Sequence, residues 1–457
     1  MKRSISWLIV AAIGLILMAF SYFNYQYQNR PDPWEDNFVY IGKAQPNPEA
    51  KDLEYEKIPV RLLPMPPRAQ NFTQIARNFG SHIEKSYRFF FQEKVILYPK
   101  LSGVTPRLIE WGRLPSPGVD EVIAGFYTSS KKRITVDGRL FKVVGQLKKE
   151  FGLFPDSYFI CGDSVKNELF NPDDEAVQNA YVLQLSTNQL NDPQMRERLT
   201  KSFPKSQFAA YRPMIRTQPT AFYLYVVGIA LLFLGGCLVL FKVYCFLSDR
   251  VDNKWLRLPL AEIKKYKRLF LTLHLIYFGA VILFMLVAYQ LPELQVCLLA
   301  GIKSQVVDGS GPLAIAGKAY MSKNILRAAV TTFAINFPLG SLAVITLPSV
   351  ILPGAGVLVC GFRAMLWGLL LAPSFHALSG PMLLHSITLL LEGEAYVIAS
   401  FFGLLILVYL FRKAEGTSLA GRYGKALLLN IKGNWLVAVV LAVAAVYEAI
   451  EVILAMQ

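Results

Sequence analysis

The sequence predicts a membrane protein with an N-terminal anchor helix, an α+β extracytoplasmic domain and an α-helical polytopic bundle. Composition is the first observation behind this: of 457 residues, 54% are hydrophobic and 17% charged, a balance richer in apolar residues than an ordinary soluble domain. Apolar runs are the second, because about seven reach the roughly 20 residues that cross a hydrocarbon core as a helix. Their uneven spacing is the third. One run lies near Ser6–Tyr22, a long polar-to-mixed stretch follows, and the others crowd near 220–247, 269–291, 327–348, 351–372, 382–411 and 434–456. The expected organisation is an anchor at 1–25, an extracytoplasmic domain at 26–219, a second span at 220–247, a basic cytoplasmic loop at 248–268 and a five-helix membrane domain at 269–457.

The first span begins Met1-Lys2-Arg3 and runs into Ser21-Tyr22-Phe23-Asn24-Tyr25. That exit reads as an interfacial aromatic belt and the span as a retained anchor, with a signal peptide cleaved after Ser21 as the alternative. The net charge of +15 does not call for nucleic acid, since Lys and Arg gather beside the spans, where the positive-inside bias places them. Arg250, Lys254, Arg257, Lys264, Lys265, Lys267 and Arg268 share one short loop, which with Lys2 and Arg3 is assigned to the cytoplasm. The domain between the first two spans then faces outward. A second basic loop with Arg412, Lys413, Arg422, Lys425 and Lys432 returns to the cytoplasmic side, whereas Lys303, Lys318 and Lys323 run against this topology.

Cys161 alone lies in the outer domain, beside Cys237, Cys245, Cys297 and Cys360 in or near spans, which excludes a disulfide framework there. The histidines are His82, His274, His376 and His385, with no CxxC or HExxH spacing, so no metal site and no cofactor is expected.

In the outer domain, Pro59, Pro64, Pro66 and Pro67 suggest an extended connector. Phe72, Ile75, Phe79, Ile83 and Tyr87 recur at helical spacing behind a cap at Asn71. Ile134 and Val136 alternate toward an Asp137-Gly138 turn, with Leu140–Val144 returning, a hairpin signal. Tyr181–Leu185 reads as a strand, DPQMRERLTKSF as a helix capped by Asp192 with Pro193 first, and QFAAYRPMI as a last strand. The order of anchor, EVIAGFY, ITVDGRLFKVVG, YVLQLSTNQLNDPQMRERLTKSFP and a return span resembles the periplasmic core domain of macrolide-exporter-type ABC permeases, over roughly residues 1–250. The resemblance implies transmission of movement driven by an ATPase. No GxxxxGK[ST] phosphate loop occurs here, so that ATPase would be a separate cytoplasmic subunit.

The segment Leu291–Asn324 reads as outer-surface helices around Gly309-Ser310-Gly311-Pro312. From Leu269 onward, Asn336 with Phe337-Pro338-Leu339-Gly340, the stretch Gly361–Gly368, His385 with LEGEAYVIASFFGLLIL, and AAVYEAIEVIL resemble the stage II sporulation protein M family. That resemblance implies a scaffold or permease-like module in a bacterial inner membrane.

Within this half, His385 and Glu392 share a helix face about 10 Å apart along the axis, while Glu394 points almost oppositely. An ionised carboxylate facing lipid costs at least a few kcal/mol, so Glu392, His385 and Arg363 are expected to form an interior polar cluster approached by Glu448 or Glu451. Asn336 joins this candidate set, and Glu394 and Glu451 have a water-exposed alternative at the span boundary. Gly235, Gly236, Gly361 and Gly368 read as close-packing sites. In the cytoplasmic loop, Arg257, Lys264, Lys265, Lys267 and Arg268 are the candidate coupling residues, with topology alone as the other reading.

The functional expectation is a non-enzymatic membrane component of an envelope or transport complex, a permease-like subunit working with a separate ABC-type ATPase in contact with membrane lipid. The alternative is a scaffold that recruits cell-wall or other envelope proteins. An intramembrane enzyme lacks a paired catalytic constellation in the sequence.

Overall fold

A computed structural model describes residues 2–28, 37–97, 106–116, 118–126, 128, 131–148, 151, 154, 156–160, 166–185, 189, 192–211, 216–309, 311–412 and 418–455. The expectations for Tyr127, Cys161, Lys413 and the end of the last span at Met456 lie outside the described residues. The chain divides into two compact units: Met1–Gln28 with Arg216–Gln295 and Ile302–Gln457, and Asn29–Ile215 with Val296–Gly301.

The second unit is built on one sheet. Among the described residues its strands are β1 (Asn37–Gly42), β2 (Glu56–Leu62), β3 (Lys94–Leu97), β4 (Ile109–Gly112), β5 (Glu121–Ala124), β6 (Arg133–Val136), β7 (Arg139–Leu147), β8 (Ser157–Ile160), β9 (Val177–Gln184) and β10 (Ala209–Tyr211). They lie in the order β10-β1-β9-β2-β3-β8-β5-β7-β4, with β6 paired to β7. The pairs β3/β8 and β5/β7 are parallel and the others antiparallel. Every residue of β3, β5 and β8 is buried, as strands covered on both faces require. Val39, Ile58, Ile96 and Phe159 fill one core, and Val95, Val122, Tyr158 and Ile160 another.

The hairpin at Asp137-Gly138 forms with Val136 opposite Arg139, and both turn residues have positive φ, 51° and 77°, the geometry a two-residue turn between twisted strands prefers. Asp192 caps α5 (Pro193–Ser202) by accepting from the Gln194 amide at 3.0 Å. Two expectations need correction. Pro59 sits inside β2, one residue before pairing to β3 begins at Val60, so the connector is partly strand. The amphipathic helix is two helices, α2 (Pro67–Phe79) and α3 (Ser81–Phe91), because Gly80 at φ 135° ends the first; Asn71 lies within α2 and Pro66 is its cap residue. A short α4 (Lys166–Leu169) precedes β9.

Glu121 at the start of β5 accepts from Arg113 Nη1 at 2.7 Å, Arg113 Nη2 at 2.5 Å and the Ser116 amide at 3.0 Å. Arg113 first, then the Ser116 amide, with Lys142 opposite on β7, hold its carboxyl down at about 2 against an ordinary 4.5. A carboxyl depressed by folding stabilises above its unfolded value and loses that contribution as pH falls toward its folded value. The sheet unit is therefore expected to lose stability between pH 4.5 and about 2, and Glu121→Gln to lack this component when melting is followed across that range.

The first unit is helical. α1 (Lys2–Gln28) precedes α6 (Pro219–Ser248), α7 (Lys254–Lys265), α8 (Lys267–Gln290), α9 (Pro292–Asp308, whose residues Val296–Gly301 group with the second unit), α10 (Pro312–Met321), α11 (Ile325–Ile335), a π-helical stretch Asn336–Thr346, α12 (Leu347–Ile351), α13 (Ala355–Leu371), α14 (His376–Phe411) and α15 (Leu419–Ala455). Among the described residues, six helical segments are long and apolar enough to cross a membrane: Ile5–Phe23, Pro219–Ser248, Lys267–Gln290, Ile325–Ile351, Met382–Phe411 and Leu419–Leu454. They describe a multi-pass membrane protein. The expected span at 351–372 is instead α13, of 17 residues, about 25 Å long; Gly354 in the left-handed conformation sets its start. The last helix begins at Leu419, not near 434, so Arg422, Lys425 and Lys432 lie on α15 and not in a loop.

The sequence 248–268 is likewise not a plain loop, because most of it is α7. Asn253 caps this helix by accepting from the Trp255 amide at 2.9 Å, and Leu260 and Ile263 are buried as it packs against α6 and α15. Arg257, Lys264, Lys265, Lys267 and Arg268 are exposed.

Close packing follows the small residues. A Cβ at Gly235 would meet the Ala11 amide at 2.6 Å, one at Gly236 Leu390 at 2.5 Å, and one at Gly368 the Val281 carbonyl at 2.4 Å. At Gly361 nothing lies within 4 Å, contrary to the close-packing expectation.

Candidate functional site

The polar groups of the bundle arise on helices whose remaining surface is apolar, so each must find its partner inside the protein. Asn336 opens the π-helical stretch, which continues through Pro338. Proline lacks an amide hydrogen and clashes with the preceding turn of an α-helix, and a wider turn relieves both. Asn336 Nδ2 donates to Glu392 Oε1 of α14 at 2.6 Å. Arg363 of α13 donates through Nη2 to the Tyr396 hydroxyl at 2.6 Å, lies 3.8 Å from the centre of that ring, and reaches the Gly340 carbonyl at 3.4 Å. Glu392 is near enough to act on the guanidinium electrostatically.

Two turns before Glu392 on α14, His385 Nδ1 meets Glu451 Oε1 of α15 at 3.2 Å, and Thr388 donates to Glu451 Oε2 at 2.7 Å. Glu448, one turn before Glu451 on α15, lies near Glu392, His385 and Tyr320. The structure thus brings all six sequence-derived bundle residues, Asn336, Arg363, His385, Glu392, Glu448 and Glu451, into one region. It pairs His385 with Glu451, not with Glu392. Three carboxyl groups here face one guanidinium and one imidazole.

Glu394 belongs elsewhere. It is fully buried, as Glu451 nearly is at 7% exposed, so the water-exposed alternative fails for both. Its Oε2 meets His274 Nε2 of α8 at 2.7 Å, while His274 Nδ1 donates to the Phe270 carbonyl at 2.8 Å. Cys237 of α6 joins them: its sulfur, a His274 ring nitrogen and a Glu394 oxygen all lie within 4.8 Å of one another. Neither His274 nor Cys237 is among the sequence-derived site candidates. A lone histidine in an apolar span was the available signal, but no linear spacing links groups on three separate helices.

In the sheet unit a cleft of about 670 Å³ is lined by Arg61, Lys85, Arg88, Thr135, Asp137 and Glu175 among others. Arg61 is engaged there by Asp137, by Asp174 at 2.7 Å and by the Leu169 carbonyl at 2.7 Å, which makes it a buried structural charge. Compared with family models, curated proteins and solved structures, the chain matches none.

Proposed function

We propose that this chain is a non-enzymatic membrane subunit of an envelope transport complex, a permease-like component that works with a separate cytoplasmic ABC-type ATPase. The observation that carries this reading is α7. It is a capped helix joined almost directly to α6 and α8, packed against α6 and α15 through Leu260 and Ile263, with its basic residues turned outward. A partner that pushes on such an element moves two long apolar helices with it, which a flexible loop does not permit.

The exposed groups are free to serve a partner at little cost to the fold. Lys264 pairs with Asp249 at 2.9 Å, both exposed, and surface pairs of this kind contribute about 0–1 kcal/mol, whereas Lys265 bonds the buried Glu262 at 3.0 Å. Reversing Lys264 and Lys267 to glutamate, with Lys265 kept as the partner of the buried Glu262, is expected to leave the chain folded and to cut ATPase recovery in mild-detergent purification at least tenfold, roughly the effect of like-charge contact at an interface. Purification that yields outer-face envelope proteins and no ATPase would replace this reading with that of a scaffold for cell-wall machinery.

A further inference from the structure

We infer that Cys237, His274 and Glu394 form a binding site for one divalent cation of the zinc class, held between α6, α8 and α14. The three donor atoms lie within 4.8 Å of one another, and all three residues are buried, at 6%, 4% and 0% exposed. A zinc ion about 2.0–2.3 Å from each of a sulfur, an imidazole nitrogen and a carboxylate oxygen needs donors gathered on this scale. His274 is set as metal-binding histidines are: Nδ1–H is committed to the Phe270 carbonyl at 2.8 Å, which fixes the ring and leaves Nε2 facing inward. Phe270 and Phe278 flank the ring at 4.4 and 6.2 Å between centroids.

Glu394 Oε1 is buried and faces the Tyr244 hydroxyl, two turns from Cys237 on α6. That hydroxyl can donate to Oε1, so Oε2 is the carboxylate oxygen that faces His274 Nε2 and is left to serve a cation with the Cys237 sulfur.

Charge favours the same conclusion. A thiolate, a carboxylate and a neutral imidazole around a dication sum to zero, the arrangement that an apolar interior accepts most easily. The sulfur ligand selects a borderline or soft cation over magnesium or calcium, which take oxygen. In the metal-free form the 2.7 Å contact between His274 Nε2 and Glu394 Oε2 holds one proton, and the Cys237 thiol holds another. Binding releases both, with no change of oxidation state. This inference stands apart from the ATPase reading, since it uses none of α7.

The test is cobalt titration of the full chain, purified in mild detergent and stripped with chelator. Expected are one cobalt per chain, a near-ultraviolet thiolate-to-cobalt band, release of two protons per cation, and displacement by zinc. Cys237→Ser should abolish the band, Cys245→Ser should keep it, and Glu394→Gln should weaken binding at least tenfold. A wild-type chain that remains folded and binds no cobalt overturns the inference, whatever the variants do. A band that survives in Cys237→Ser overturns it as well.

Discussion

Replacing Glu392 by leucine is expected to destabilise the bundle by about 2–3 kcal/mol, the upper range for a hydrogen bond to a charged acceptor whose partner is left unpaired. Glu392 is 5% exposed and accepts the 2.6 Å hydrogen bond from Asn336. Leucine removes that acceptor, leaves the Asn336 amide without its partner, and takes away the carboxyl whose field Arg363 feels. Arg363 itself stays in place, because Tyr396 still receives its hydrogen bond and presents its ring at 3.8 Å. Denaturant unfolding in mixed micelles reads the loss directly. Combining Glu392→Leu with Asn336→Leu should cost less than the two single changes added together, because the two side chains are hydrogen-bonded to each other and so are coupled. A single-variant cost below about 1 kcal/mol, the range of an exposed pair, would show that the cluster does not hold these helices.

Gly14→Leu is expected to be the next most damaging change. A Cβ at Gly14 would stand 2.5 Å from the Gly228 carbonyl oxygen and 2.6 Å from the Leu232 amide nitrogen. Both obstacles are backbone of α6, so no rotamer change can relieve the overlap and α1 must move away. The neighbouring contacts share that displacement, including Met18, which is fully buried, and the hydrogen bond from Ser21 Oγ to the Ala221 carbonyl at 2.6 Å. Overpacking typically costs about 1–3 kcal/mol and occasionally more, and a backbone obstacle puts this case at the upper end. Gly361→Leu is the control, since open space surrounds that position. Its unfolding midpoint should match the parent within experimental error, while that of Gly14→Leu falls. Equal behaviour of the two would mean that α1 does not pack on α6 through its small residues.

Local signals were the ones legible from residues alone. The Asp137-Gly138 hairpin, the Asp192 cap and the apolar helices each depend on residues within a turn or two of one another. The errors also follow from this. Helical spacing ran across Gly80 because Phe79 and Ile83 keep the period while the backbone breaks. The charge of the segment after Ser248 suggests a loop, although Leu256, Leu260 and Ile263 repeat at helical spacing. The apolar run puts the start of α15 near 434, but the helix already begins at Leu419 among polar residues.

By itself the sequence determined which ionisable groups sit on apolar helices and how they are spaced around them. Glu392 and Glu394, two residues apart, are separated by about 200° around a helix, so they must face different neighbours. Who those neighbours are was decided by tertiary structure. Glu392 meets Asn336 and Glu394 meets His274, partners 56 and 120 residues away. Helical periodicity is a property of one segment, whereas a side chain's partner depends on how separate helices rotate and approach. That is set by packing at positions such as Gly14, Gly235 and Gly368, and no spacing within a single segment records it.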